Sequence, residues 1–315
     1  MVCIYKIDYK KIEENIKLLD KSDYLVLKSN AYGFGFKKVL DIAYKCEMKK
    51  FCVLELNDAI YIKKRYKESV VLLLGPLNKK HLKVYQDYEI NITITNLKDF
   101  NMISNYNILY QIEINSGMNR FGVLNIDFDL ILDDSRFIGV YSHNATGDIY
   151  FINEQIQYFF NLVKYLNNKE IHFASSGIKS MKIPFVNARR IGCDIYKDSL
   201  YVYGKIIQIN YCVKDSYIGY DYSYKFACDS YVGVIDIGYA DGLCRECSGF
   251  MVWIKNKYYP LIGKACMNHT FVLLDCSDLI NSKVTIIGNN NKIDNYVKYF
   301  KKIKHEVYLD FLKHY

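Results

Sequence analysis

Hydrophobic positions along the 315-residue chain fall into two textures. Up to about residue 200, short apolar runs alternate with stretches whose apolar residues recur every three or four positions. Leu25–Leu27 runs straight into Lys28 and then into the small, turn-forming segment SNAYGFG. An apolar run bounded in this way predicts a buried parallel strand. Ahead of it, Asp8 is placed to cap a helix bearing Ile12, Ile16 and Leu19, and Val39, Leu40 and Ala43 mark a second helix. The alternation continues with a strand at Phe51–Leu54, a helix at Asp58–Tyr66 and a strand at Val70–Leu74. Further strands are predicted at Ile90–Ile94, Leu109–Ile114, Phe137–Ser142, Ile171–Ala174 and Pro184–Arg189, with a long helix at Asn153–Leu166. Counted from the Lys28 strand, these eight strands alternate with helix or loop, which favours an α/β fold of the (β/α)8 TIM-barrel type over a doubly wound sheet.

Around Tyr201 the texture changes. Tyr203–Val213, Tyr231–Ile237, Met251–Ile254, Tyr259–Ala265, Phe271–Leu274 and Val284–Ile287 read as strands with short connections, and Lys292–His305 as a closing helix. This predicts a second, mostly β domain. The expected division is residues 9–200 for the barrel, and residues 1–8 with 201–315 for the β domain.

Composition narrows the function. Hydrophobic residues make up 51% and charged residues 24%, an ordinary globular balance. No apolar run reaches the ~18 residues of a membrane span, and the N-terminus lacks a signal-type apolar region, so a cytoplasmic protein without membrane contact is expected. The ten cysteines are scattered and read as reduced thiols. The net charge of +8 comes from dispersed lysines, so no nucleic-acid partner is expected; the densest run, KYFKKIK, reads as a solvated helix face.

The chemistry gathers at the predicted C-terminal strand ends, where a barrel builds its active site. Lys28, Glu113, Arg120, His143, Ser175, Ser176 and Arg190 all fall there. Taken singly, Lys28 could snorkel to solvent, His143 could be a core histidine and Arg190 a surface charge. Repeated at matching places on successive strands, they predict one convergent site. Burial lowers the pKa of a lysine, which suits it to Schiff-base formation or general-base work. Cys244-x2-Cys247 with Cys266-x2-His269 has a zinc-like spacing. However, Cys266 and His269 adjoin a strand-like run in which i and i+3 face opposite sides, so no metal is expected.

These segments resemble the alanine racemase family of pyridoxal 5'-phosphate enzymes, over essentially the whole chain. VLKSNAYGFG is similar to the family's cofactor-lysine segment, which implies Lys28 as the Schiff-base lysine and Tyr32 as a phosphate contact. INSGMNRFG implies Arg120 as the active-site arginine, and SHNATGD places His143. HFASSGI implies Ser176 at the phosphate. ARRIGCDIY implies Arg190 opposite the pyridine nitrogen, with Gly192 and Cys193 beside the cofactor. IGYADG implies Tyr239 as the second catalytic base, supplied by the partner subunit of a homodimer. GKACMN implies Met267 at the substrate carboxylate. The resemblance also implies His143 linked towards Arg190, giving Tyr239 polar support.

Departures from the family pattern carry their own expectations. Seven residues before Arg120, where many members have a carbamylated lysine, stands Glu113, which is expected to orient Arg120 through a charge-assisted bond. Asn268 replaces a usual Asp, Ser175 a usual Asn, and His305 a phosphate-binding tyrosine. The implied activity is interconversion of L- and D-alanine by Lys28 and Tyr239, supplying D-alanine for peptidoglycan. The alternatives are a serine or broad-specificity racemase of the same fold, a non-catalytic pyridoxal phosphate protein, or an amino-acid decarboxylase. The last two fit less well, because the β domain is present and the decarboxylases' cysteine motif is not seen.

Overall fold

The computed structural model describes residues 5–175, 181 and 183–313. The chain divides into two compact units, each described by itself. One holds Asn15–Ala31 and Phe36–Ile195; the other holds the chain up to Glu14, Tyr32–Gly35 and the chain from Tyr196 onward.

The first unit is a closed parallel barrel. If the strand at Tyr5–Ile7 is β1, the barrel strands are β2 (Tyr24–Val26), β3 (Lys50–Val53), β4 (Val70–Leu73) and β5 (Asn91–Ile94), followed by β6 (Tyr110–Glu113), β7 (Phe137–Tyr141), β8 (Glu170–Ser175) and β9 (Ala188–Ile191). Closure is made by Tyr24 opposite Arg190 and Leu25 opposite Ile191. Strand side chains alternate between faces, so Tyr24, Val26, Cys52, Leu72, Tyr141 and Ala188 pack together as one cluster. The outer layer is helical where the sequence has helical spacing. Phe36–Lys45 buries Phe36, Val39, Leu40 and Ala43. Ile149–Val163 begins at Asp148, whose side chain accepts the Tyr150 N–H at 2.9 Å. That cap starts the helix four residues before the predicted Asn153, and the observed helix Leu56–Arg65 similarly starts before Asp58.

The last barrel strand lies further along the chain than the predicted Pro184–Arg189. Pro184 has no N–H to give a ladder, and a turn closed by Val186 N–H on the Ile183 carbonyl, at 3.0 Å, occupies that stretch. The strand begins only at Ala188.

In the second unit, β10 (Leu200–Cys212), β13 (Ser230–Ile235), β14 (Met251–Ile254), β15 (Lys257–Ile262), β16 (Thr270–Leu274) and β17 (Lys283–Ile287) form an antiparallel sheet with β1 at one end. The sheet curls until β10 also pairs with β17. The intervening short strands β11 (Tyr217–Ile218) and β12 (Tyr224–Lys225) pair with each other. Asp8 caps as predicted, accepting the Lys11 N–H at 3.0 Å. The predicted closing helix Lys292–His305 is two helices, Ile293–Phe300 and Lys304–Leu312. Lys301, left-handed with φ 52°, breaks the run between them.

Among the described residues no helix is long and apolar enough to cross a membrane, and the nine described cysteines are all free thiols.

Candidate active site at the barrel mouth

Lys28 stands immediately after β2, half-buried. Burial, and secondly the positive charge of Arg120, lower its pKa. Behind it the backbone does something the sequence pattern does not announce. Ser29, Asn30, Ala31 and Tyr32 are all left-handed, with φ between 52° and 57°. For residues with a Cβ this conformation costs about 1–2 kcal/mol each. The Asn30 side chain accepts the Phe36 N–H at 2.8 Å and so ties the turn to the start of the next helix. Strain that survives at a strand end bearing a half-buried amine points to function.

Arg120 rides on the loop after β6. Val123 N–H on the Glu113 carbonyl and Asn115 N–H on the Val123 carbonyl, both at 2.9 Å, close this loop at its base. Gly122 is needed there: its φ is +103°, and a Cβ would sit 2.8 Å from both Asn115 N and Glu113 O. Arg120 itself is exposed, its guanidinium 5.8 Å from the Phe121 ring. Glu113 is 6% exposed. Contrary to the expectation from sequence, no ion pair joins Glu113 to Arg120 among the described residues. Glu113 Oε2 instead lies 3.3 Å from the Tyr141 hydroxyl. Burial raises its pKa, against the opposing pull of Arg190 and Arg120.

Arg190, on β9 and also 6% exposed, is held in two ways. Its Nη2 donates to the Ser142 carbonyl at 2.6 Å. Its guanidinium lies 4.4 Å from the centre of the Tyr141 ring, a cation–π contact. The Ser142 position is pinned in turn, because its hydroxyl donates to the Ile114 carbonyl at 2.6 Å and lies 2.7 Å from that of Ser116. Arg190 Nη1 is buried without a hydrogen-bond partner among the described residues. Such an orphan donor is costly unless something accepts from it.

His143 follows Ser142. Burial first, then the charges of Arg190, Arg120 and Lys28, push its pKa down to about 3, so the imidazole is neutral at physiological pH. Its link to Arg190 is electrostatic; among the described residues no hydrogen bond joins the two side chains. Thus Lys28, Arg120, His143 and Arg190 feel one another's charge, and Glu113 sits beside the two arginines. Tyr141 and Thr93, which sequence reading missed, belong to the same group. Their signal was the period-two alternation that turns Thr93, Glu113 and Tyr141 inward on three neighbouring strands. Gly192 and Cys193 are buried just beyond β9, where the chain enters the turn Cys193–Tyr196. Ser176 lies outside the described residues.

In the second unit Tyr239 and Met267 are neighbours. Tyr239 N–H donates to the Cys266 carbonyl at 3.0 Å and Ala240 N–H to the Met267 carbonyl at 2.9 Å. Gly238 permits this clasp, because a Cβ there would strike the carbonyl oxygens of Cys266 and Met267. Both side chains reach outward, Tyr239 39% and Met267 56% exposed. Tyr32 is buried in the same unit with its ring centre 5.2 Å from that of His305 and 5.5 Å from that of Tyr196. The zinc-like cysteines are used otherwise: Cys247 is buried with its sulfur 3.4 Å from the Thr270 hydroxyl. Among the described residues no group of three or more His, Cys, Asp or Glu is placed to hold a metal ion.

Comparison with known proteins agrees in extent. The family model "Alanine racemase, N-terminal domain" matches residues 7–200, and "Alanine racemase, C-terminal domain" matches residues 200–315. The alanine racemase of Listeria monocytogenes serotype 4a is 27% identical over 96% of this chain and 90% of its own length. The solved biosynthetic alanine racemase from Pseudomonas aeruginosa superposes with a TM-score of 0.88 at 17% identity, covering 98% of this chain and 96% of that one. The Bartonella henselae enzyme, solved with covalently bound pyridoxal phosphate, gives a TM-score of 0.86 at 21% identity, covering 98% and 96%. At these identities the structural likeness establishes the fold.

Proposed function

Since the chain belongs to the alanine racemase family and acts as an alanine racemase, we propose that it works with pyridoxal phosphate held at the barrel mouth, in a cytoplasmic homodimer whose D-alanine serves peptidoglycan synthesis. The observation that carries the cofactor reading is the orphan Nη1 of Arg190, a buried donor on the same mouth as the lowered amine of Lys28. An aromatic nitrogen is the acceptor that Nη1 lacks, and an aldehyde is the natural partner of a lysine whose amine is pushed towards its free form. The residues fit the group. Lys28 would hold its carbonyl carbon and Arg190 its ring nitrogen, with Tyr32, Ser176 and Gly192 expected at its phosphate and Cys193 beside the cofactor. When bound, the cofactor supplies the electron withdrawal that makes the α-hydrogen of an amino acid acidic.

The remaining chemistry belongs to the chain. Inverting a stereocentre requires a proton to leave one face and another to arrive on the opposite face. Lys28 Nζ is suited to one face, because burial and Arg120 favour its neutral form. The Tyr239 hydroxyl, carried outward from the β domain on the clasped IGYADG turn, serves the other face, reaching the site of the partner subunit. Neutral His143 is an acceptor able to steady that hydroxyl. Arg190 cannot surrender a proton, so it donates to the ring nitrogen without protonating it, which tempers the cofactor and limits side reactions such as transamination. Arg120 and Met267 bind the substrate carboxylate. A positioned acid or base contributes about 10²–10⁴-fold, so Tyr239→Phe is expected to lower L- to D-alanine conversion by that factor while the visible absorbance of the bound cofactor persists. Full activity in that variant removes the two-base mechanism. Serine and ornithine assayed beside alanine separate the broader-specificity and decarboxylase alternatives.

A further inference from the structure

Three oxygen atoms on three neighbouring barrel strands form a chain whose protons can be counted. Thr93 Oγ1 donates to the Leu73 carbonyl at 2.9 Å. It also lies 3.1 Å from the Tyr141 hydroxyl, and that hydroxyl lies 3.3 Å from Glu113 Oε2. Three hydrogen bonds need three protons, and the two hydroxyls carry one each. If Glu113 is ionised, Tyr141 donates to it, and the single Thr93 proton must serve both the Tyr141 hydroxyl and the Leu73 carbonyl, so one of the three contacts goes unfilled. The three side chains have little access to water, being 6%, 3% and 1% exposed for Glu113, Tyr141 and Thr93. A second observation agrees. Arg190 and Arg120 are the charged groups that face Glu113, yet neither forms an ion pair with it among the described residues, and Arg190 Nη1 stays unpaired. A buried carboxylate beside two guanidiniums ordinarily draws at least one into a charge-assisted bond.

We propose that Glu113 stands as a neutral carboxylic acid at neutral pH, its proton completing a relay from Glu113 to Tyr141 to Thr93 to the Leu73 carbonyl. Its role is that of a positioning residue for Arg190. The relay fixes the Tyr141 ring on which the guanidinium rests, and the absence of a negative charge leaves Nη1 available. This role rests on the reading of Arg190 as the partner of the cofactor's ring nitrogen; the protonation of Glu113 does not. Burial, the largest influence, raises the carboxyl and outweighs Arg190, Arg120 and the Tyr141 hydroxyl, which pull it down.

The test is isotope-edited infrared spectroscopy of the full-length protein, with and without added pyridoxal phosphate, using carboxyl-labelled glutamate. A protonated-acid carbonyl band at pH 7 is expected, absent in Glu113→Gln and shifted in Tyr141→Phe, which keeps the ring but removes the acceptor hydroxyl. No such band in wild type, or one that Glu113→Gln leaves in place, overturns the proposal. In turnover, the glutamine amide can donate to Tyr141 as the acid does. Glu113→Gln should therefore restore about tenfold of the kcat lost in Glu113→Ala, the worth of one buried hydrogen bond. Equal losses in the two variants overturn the positioning role. An acid band in a protein that takes up no pyridoxal phosphate leaves the proton count standing and sinks the cofactor reading instead.

Discussion

The two ends of the barrel each hold a carboxylate, Glu113 buried at the mouth and Glu170 half-buried at the floor, and the protein treats them oppositely. At the floor, Glu170 accepts from the Tyr24 hydroxyl at 2.6 Å and from the Gln111 amide at 2.9 Å, and pairs with Lys50. Burial alone would raise its carboxyl, but His172, Lys50 and Tyr24 outweigh burial and hold it at about 2. His172 Nε2 sits 3.5 Å from Glu170 Oε2, near enough for attraction but not aligned as a hydrogen bond. At the mouth, among the described residues, Glu113 has one hydroxyl neighbour and no ion pair, and burial wins. The floor's carboxylate is ionised and held by Tyr24, Gln111 and Lys50, although Gln111 Oε1 and both His172 nitrogens have no hydrogen-bond partner among the described residues. The mouth leaves one buried guanidinium donor, Arg190 Nη1, unpaired among the described residues, as a site built to receive something would. Orphan atoms alone do not mark function, since the floor has them too; what marks the mouth is an orphan cationic donor, Arg190 Nη1, at the same strand ends as the lowered amine of Lys28.

The largest effect expected from breaking this contrast is at the floor. Glu170→Ala leaves the buried Tyr24 hydroxyl and Gln111 amide without their acceptor and half-buried Lys50 without its partner, and should cost about 1–3 kcal/mol of stability, read as a fall in the urea midpoint. Glu170→Gln, which keeps an acceptor, should cost less.

Acid separates the two carboxylates by sign, while the two histidines, His143 at the mouth and His172 at the floor, act alike. Burial pushes His172 down to about 4, so the unfolded chain takes up its proton first, and stability should fall from about pH 6.5 towards 4. Glu170 adds a further loss below about pH 4.3, as pH falls towards its folded value near 2. Glu113 runs the other way. Its folded pKa is raised, so its contribution is complete at low pH and is lost as pH rises through that value. Denaturation midpoints across pH 3–8 should therefore slope less steeply in Glu170→Gln and more steeply in Glu113→Gln; parallel curves would erase the distinction.

A smaller effect is expected at the left-handed turn. Asn30→Ala removes the acceptor for Phe36 N–H and a residue type that tolerates this backbone, and should cost about 1 kcal/mol. Its sharper signature is weaker retention of pyridoxal phosphate in equilibrium dialysis.

Much of this was legible in the order of residues. The barrel follows from strand–helix alternation, and Lys28 from an apolar run that ends on an amine. The arginine loop and the IGYADG turn were legible as motifs, with Gly122 and Gly238 placed where a Cβ could not fit. What was not legible depends on groups distant in sequence meeting in space. The proton relay joins Thr93, Glu113 and Tyr141 across strands, and a one-dimensional pattern suggested a Glu113–Arg120 bond that the loop geometry does not make. Local backbone choices were equally hidden: four left-handed residues after Lys28, the break at Lys301, and a strand postponed past Pro184.

The account stands on Lys28 as the residue that takes the cofactor. Borohydride reduction of the protein loaded with pyridoxal phosphate, followed by peptide mapping, should give one labelled peptide spanning Asp23–Gly35, with the modification on Lys28. A label on any other lysine, or none at all, contradicts it.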